Sequence, residues 1–300
     1  MADRDCNQQA VIGVDLGGTK VQAGLVKGQK PMRVETTRIS ADREAEVIID
    51  EIIDVIEPLL DRSIVGIGIG VPSLVDIDQG IVYSVENIPS WKEVRLKDIL
   101  ENRFQVPVVV NNDANCFALG ELYFGTGQGV RHMIGMTIGT GLGAGVIVDG
   151  KLYSGRNCGA GEIGCIPYRD KTIEAFCSGQ FFQREACLDG GVVYQKAMAG
   201  DEAAIELYNR FGFELGMAVM TVVYAFDPEL IVMGGSVAIA FRFYERSMRM
   251  RLQQFAYPHA LKRLRITCCN RADMAVLGAA ALVYDAFGSK GAGAMEGMKG

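Results

Sequence analysis

The chain has 300 residues, 49% of them hydrophobic, and 36 acidic against 30 basic side chains give a formal net charge of -6. That length can bury one large core or two medium ones. The acidic balance argues against a broad nucleic-acid or anionic-membrane surface, because a phosphate backbone needs Lys and Arg to replace its counterions. The polar start, MADRDCNQQA, has no apolar leader after it, and no apolar run reaches the length of a membrane span, so a cytoplasmic protein without a membrane partner is expected.

In chain order, Val11–Leu16 and Val21–Val26 are short apolar runs joined by Gly17-Gly18-Thr19-Lys20, a hairpin signal. Val34–Ile39 reads as a third strand. Arg43–Leu60 places apolar residues at 47, 48, 52, 55, 56, 59 and 60, which is helical spacing. Ile64–Val71 alternates apolar residues with glycine and reads as a buried strand. Val94–Phe104 reads as a helix and Val106–Val110 as a strand ended by Asn111-Asn112-Asp113, with a helix over Ala114–Phe124. The plan then repeats: Met133–Ile138 and Ala144–Val148 form a second glycine-linked hairpin, and a helical region runs from about Ile173 through Phe226. Leu230–Met233 and Leu264–Cys268 are strands, and Met274–Phe287 is a helix.

A shift of 121 places Gly18, Thr19, Ala23 and Gly24 on Gly139, Thr140, Ala144 and Gly145, and a shift of 158 places Asn112, Ala114, Leu119 and Gly120 on Asn270, Ala272, Leu277 and Gly278. Two matches in the same order on the same elements indicate an internal duplication. Asp113 falls on Arg271, so only the first half keeps the carboxylate; drift explains this, and so does a cleft that needs one base. The duplication implies two α/β lobes with a ligand cleft between them. The expected division is 1–113 for an N-terminal lobe, completed by the helix at 274–287, 114–273 for a C-terminal lobe, and a disordered glycine-rich tail at 288–300.

The two hairpins are the first candidates for chemistry, because glycine lets backbone N–H groups approach phosphate oxygens. Neither is a P-loop, since no GxxxxGK[ST] occurs. Residues 139–144 fit a loose GxGxxA pattern, but a strand follows where a dinucleotide site needs a helix. Asp15 suits a hydrated Mg²⁺ and Lys20 a phosphate; a solvated hairpin lysine is the plainer alternative. Asn111-Asn112-Asp113 sits between a buried strand and a helix, where a helix cap explains one residue of the three and a carboxylate facing a cleft is placed as a general base. Glu162, in a glycine-rich loop, and Glu174, at a helix start, each fit solvated acids. Together with Asp113 they supply acceptors for sugar hydroxyls. Asn87 opens the loop Asn87-Ile88-Pro89-Ser90-Trp91, a surface loop or a sugar-contacting one. The eight cysteines, with no CxxC pair, read as free thiols rather than a zinc set.

These residues resemble the ROK family of repressors and sugar kinases, through DLGGTK at 15–20, GIGVPSLVD at 68–76, NIPSW at 87–91, NNDANCFALGE at 111–121, IGTGLGAGVIVDGKLYSG at 138–155 and GAGEIG at 159–164. The resemblance implies an actin-like, hexokinase-type (ribonuclease-H-like) bilobal fold and an ATP- and Mg²⁺-dependent kinase acting on the 6-hydroxyl of a hexose. Glucose is the first choice, with N-acetylglucosamine, N-acetylmannosamine, mannose and fructose as alternatives. It also implies a homodimer. Asp113 matches the catalytic aspartate; Asn87, Asn112, Glu162 and Glu174 match sugar ligands. Gly17, Gly18, Thr19 and Lys20, with Thr140 and Gly141, match the phosphate loops, and Gly234 and Gly235 the adenosine side. The family's GEIGH motif ends here in Cys165 and its CxCGxxGC cluster is missing, so no structural zinc is expected; Ser73 stands where the family usually has glycine. The family's repressors carry a helix-turn-helix domain ahead of the first motif. With DLGGTK at residue 15 there is no room for one, so a sugar-responsive regulator would lack a DNA-binding domain.

Overall fold

Seven apolar-rich residues, Ala10–Leu16, are answered by eight at Lys20–Lys27, and in the computed structural model, which describes residues 9–288, these are β1 and β2 of an antiparallel hairpin. Strand β3 (Lys30–Arg38) extends it, α1 (Ala45–Ile56) follows, and β4 (Ile64–Val71) returns parallel to β1. A small sheet of β5 (Leu74–Asp76), β6 (Ile81–Tyr83) and β7 (Glu93–Val94) precedes α2 (Leu96–Phe104). Strand β8 (Val108–Asn112) then lies parallel to β4 and leads into α3 (Asp113–Phe124). The sheet order is β3-β2-β1-β4-β8.

The same order and directions recur in β9 (Met133–Ile138), β10 (Leu142–Val148), β11 (Lys151–Leu152), β14 (Leu230–Gly234) and β15 (Arg265–Cys268), which form the sheet β11-β10-β9-β14-β15. The duplication read from glycine spacing is therefore present in the strand pairing. Ile69 pairs with Val110 as Met233 pairs with Cys268, which agrees with the shift of 158. The shift of 121 needs a correction. Gly13 pairs with Gly24 and Gly135 with Gly145, but residues 17–20 lie between the last paired residues of the first hairpin, Leu16 and Val21, and only 139–141 between those of the second, Ile138 and Leu142. The second loop is one residue shorter, so Gly17, not Gly18, holds the place of Gly139: each donates its N–H to the last loop carbonyl, of Lys20 and of Gly141.

The described chain forms two compact units, and the division differs from the expected one. Unit 1 takes residues up to 128, 154–159 and 271 onward; unit 2 takes 129–153 and 160–270. The helix from Asp113 belongs to unit 1 because α10 (Met274–Gly288) packs on it and on β1 and β4. Gly120 and Gly278, counterparts in the repeat, lie at that crossing: a methyl on Gly120 would stand 3.0 Å from the Gly278 Cα. On the sheet side, a methyl at Gly13 would meet the Ala280 nitrogen at 2.7 Å and one at Gly68 the Ala279 carbonyl carbon at 2.9 Å. Glycine in β1 and β4 is thus what lets the last helix lie on the first strand. Gly288 ends α10; the rest of the tail expected to be disordered lies outside the described residues.

In unit 2 the long helical region breaks into α4 (Ile173–Cys177), α5 (Gln180–Ala186), α6 (Gly190–Met198) and α7 (Glu202–Phe226), after the small hairpin β12 (Pro167–Tyr168) and β13 (Lys171–Thr172). The breaks fall at Gly179, at Cys187 in the left-handed region and at Gly200, and α7 restarts on an Asp201 cap that accepts from the Ala204 N–H at 2.9 Å. Leu207, Phe211, Leu215, Ala218 and Val222 of α7 face the core at helical spacing, against Phe181, Phe182 and Tyr244. Helices α8 (Phe241–Leu252) and α9 (Pro258–Leu261) complete the unit. Among the described residues no helix is long and apolar enough to cross a membrane.

Candidate active site

In unit 1 the carboxyl ends of three parallel strands bring Asp15, Gly70 and Asn111 side by side, since Asp15 pairs with Gly70 and Gly70 with Asn111. This end of a parallel sheet is where ligands bind in open α/β folds. Burial holds the Asp15 carboxyl above its usual range, while Lys20 pulls it down. A partly buried carboxylate in that state favours a cation beside it, which fits a hydrated Mg²⁺. Lys20 is exposed, and Asn87, also exposed, lies against the hairpin: its Cβ would be 3.1 Å from a methyl on Gly18. The rest of the Asn87 loop is anchored in the core by Ile88 and Trp91, both buried, so the single tryptophan is a packing residue and not part of a surface loop.

At the turn from β8 into α3 the Asn112 side chain is the helix cap. Its Oδ1 accepts from the Ala114 N–H at 2.9 Å and the Asn115 N–H at 3.4 Å, and its Nδ2 donates to the Ser73 carbonyl at 3.3 Å. Asn111 Oδ1 accepts from the Asn112 N–H at 2.8 Å, from Asn115 Nδ2 at 2.9 Å and from the Cys158 thiol at 3.0 Å. These bonds fix the chain direction at the next residue. Asp113 is the first residue of α3, half-buried, where the positive end of the helix favours a carboxylate; its Oδ1 accepts from the Ala114 N–H at 2.8 Å. Asn111 and Asn115 belong to the polar run read from the sequence, Asn111-Asn112-Asp113-Ala114-Asn115, but no role of their own is read for them or for Cys158. The Asn-rich run carried a signal for two of them, and nothing in the spacing of Cys158 pointed here. The Cys116 thiol beneath is held protonated by burial and by the charges of Asp113 and Asp15, which face it.

The asymmetry at the repeat has a structural account. Arg271 does not mirror Asp113. Its guanidinium donates to Asp273 at 2.9 and 2.8 Å, to the Phe124 carbonyl at 3.2 Å and to the Gln29 carbonyl at 2.9 Å, and so binds the end of α3 to the start of α10 and to the turn after β2.

In unit 2 the loop 139–141 is tied from one short segment: Gly179 N–H donates to the Gly139 carbonyl at 2.7 Å and Ser178 Oγ to the Thr140 carbonyl at 3.0 Å. Thr140 is exposed. Glu174 Oε2 accepts from the Leu142 N–H at 2.8 Å, and Oε1 from Gln180 Nε2 at 2.8 Å. Glu174 is thus no solvated acid. Gly234 ends β14 opposite Thr137, and Gly235 turns with φ +89° behind Ile138. Glu162 is exposed; the Cys165 thiol donates to its Oε2 at 3.7 Å. Crowding by surrounding protein raises the Glu162 carboxyl, the Cys165 contact opposes this, and the Glu174 charge adds to it. Helices α5, α7 and α8 line a cavity of about 520 Å³. Its Arg169, Arg184 and Arg210 are engaged by Glu214 and Glu185. Among the described residues no group of three or more His, Cys, Asp or Glu side chains is placed to hold a metal.

The profile of the ROK family matches residues 11–286. The chain belongs to the ROK family. Its fold is the actin-like, hexokinase-type fold of two α/β lobes: a ROK family glucokinase from Streptomyces griseus, solved in complex with glucose and AMPPNP, superposes with a TM-score of 0.79 at 27% identity, over 91% of this chain and 98% of that one. Among ROK relatives, the glucokinase of Thermotoga maritima is 29% identical over 93% of this chain and 98% of its own length. A putative xylose repressor from a Caldicellulosiruptor species is 27% identical over 92% of this chain and 78% of its own length.

Proposed function

We propose that this ROK protein is a cytoplasmic, homodimeric, ATP-dependent hexokinase that phosphorylates the 6-hydroxyl of glucose. The observation that carries the reading is Asp113: a carboxylate at the head of a helix, set by the Asn111–Asn112 network at the carboxyl ends of parallel strands. The glucokinase relatives support the choice of reaction and of sugar.

Asp113 accepts the proton of the hydroxyl as that oxygen attacks the γ-phosphorus; the bond from the γ-phosphorus to the bridging oxygen breaks and ADP leaves with the electron pair. A general base of this kind contributes roughly 10²–10⁴-fold in rate, and the remaining acceleration comes from positioning and charge stabilisation. Asn87, Asn112, Glu162 and Glu174 orient the sugar. Glu174 keeps lone pairs beyond its two protein bonds, because a carboxylate has about four acceptor sites. Gly17, Gly18, Thr19 and Lys20, with Thr140 and Gly141, take the phosphates through N–H groups and the ammonium, and Gly234 and Gly235 leave room for the adenosine. Asp15 would hold a hydrated Mg²⁺, which would neutralise charge on the phosphates.

A coupled ADP-release assay over glucose, mannose, fructose, N-acetylglucosamine and N-acetylmannosamine tests the reading. The highest kcat/KM is expected for glucose; ADP release that no sugar stimulates sinks it. The xylose-repressor relative supports a second reading, a sugar-responsive regulator, which sequence-specific retardation of DNA in a mobility-shift assay would favour.

A further inference from the structure

The segment 174–180 contacts the 139–142 hairpin at three separate points. Gly179 holds the Gly139 carbonyl, Ser178 the Thr140 carbonyl, and Glu174 the Leu142 N–H. The third is of another kind, because a charged carboxylate accepts from a backbone N–H, a bond about twice as strong as a neutral one. The carboxylate also lies directly over the loop: a methyl on Gly141 would stand 2.5 Å from Glu174 Oε2. Its other oxygen is oriented by Gln180 Nε2 at 2.8 Å, so the group is held at both ends.

We propose that Glu174 is a positioning residue for the phosphate hairpin, and that one carboxylate, holding the Leu142 amide while accepting a sugar hydroxyl, couples hexose binding to nucleotide binding. The inference rests on the reading of 139–141 as a phosphate loop. A sugar hydroxyl on the remaining lone pairs adds a third restraint to the carboxylate. That steadies the Leu142 N–H and the loop ahead of it, so a nucleotide arriving second loses less freedom. The coupling is reciprocal, since whatever factor glucose contributes to nucleotide affinity, the nucleotide returns to glucose.

The test is calorimetric titration of AMPPNP with Mg²⁺ into the full chain, with and without D-glucose. In the wild type, glucose is expected to tighten nucleotide binding. In Glu174→Gln, which keeps the shape and loses the charge, sugar-free nucleotide affinity is expected to fall by about tenfold and the effect of glucose on it to vanish. A sugar-free nucleotide Kd equal to the wild type's, with only glucose binding weakened, overturns the proposal and leaves Glu174 a sugar ligand alone. Gln180→Met, at an exposed position, removes only the restraint on Oε1. A loss of roughly two- to fivefold in nucleotide affinity is expected there, and an unchanged Kd counts against the coupling. Thr140→Glu separates the two levels. It puts a negative charge into the loop and should abolish nucleotide binding; nucleotide affinity like the wild type's would mean that the hairpin takes no phosphate, and the coupling fails with it.

Discussion

Replacing Gly278 by alanine tests the helix crossing under Asp113. The added methyl would stand 2.6 Å from the Cys116 carbonyl carbon and 3.2 Å from the Phe117 nitrogen. Both neighbours are backbone atoms of α3, so no rotamer change relieves the contact. Carbon atoms pack at roughly 3.5–4.0 Å, so the two helices must part by about an ångström. Overpacking of this kind costs about 1–3 kcal/mol, against about 1 kcal/mol that alanine gains over glycine in a helix. The difference spans about 0–2 kcal/mol, and backbone neighbours that cannot yield put this site in its upper half, a loss of about 1–2 kcal/mol, read as a lower urea midpoint at unchanged slope. Because α3 begins at Asp113, kcat should fall as well. Gly120→Ala should cost less, because its nearest neighbour, Met274 Sδ at 2.7 Å, lies in a flexible side chain and the Gly278 backbone stands farther off, at 3.0 and 3.1 Å. A Gly278→Ala protein as stable as the parent would refute the close-approach argument.

Asp113→Asn should bind glucose and lose transfer by roughly 10²–10⁴-fold; turnover near the parent's removes Asp113 from the mechanism. Glu162 accepts hydroxyls most strongly when ionised, and its carboxyl is raised above the ordinary 4.5. The glucose KM should therefore climb with falling pH, beginning at a higher pH than an ordinary glutamate dictates. Glu162→Gln should show a raised KM without that acid limb; the same limb in the variant would assign it elsewhere. Arg271→Met removes bonds to Phe124, Gln29 and Asp273 and should destabilise by about 1–3 kcal/mol near neutral pH. Arg271 holds the Asp273 carboxyl below its usual value. The ion-pair share of that stability is therefore present above the unfolded aspartate pKa of about 3.9 and fades as pH falls through the lower folded value. Denaturation midpoints at neutral and acid pH check both sign and size.

Much of the scaffold was legible because strands and their glycines repeat at fixed spacing. The 158-residue shift matches the sheet register, since an insertion there would have displaced every cross-strand pair. The 121-residue shift missed the shorter second loop, because a one-residue change inside a glycine-rich turn leaves the flanking pattern nearly intact. Residues 173–226 read as one helical region for a related reason: apolar spacing continues across the breaks at Gly179, Cys187 and Gly200, which only backbone conformation and the Asp201 cap reveal. Polar residues at strand ends pointed to the candidate site, but not to their division of labour. Nothing in composition separates the asparagine that caps a helix from the aspartate one residue later. The grip of Glu174 on Leu142 joins positions 32 apart, a separation that no local pattern reports.

The glycines that seat α10 on β1 and β4 also set a timetable. Strand β1 leaves the ribosome more than 250 residues ahead of α10, the helix that covers it. At roughly 5–20 residues per second, β1 and β4 wait on the order of ten seconds or more with that face bare, while the whole of unit 2 is synthesised and free to fold. Unit 1 therefore closes only once α10 has been made. A nonsense change ahead of residue 274 would not trim a tail; it would release a chain whose oldest strands stay uncovered, a target for chaperones and proteases from the moment of its release.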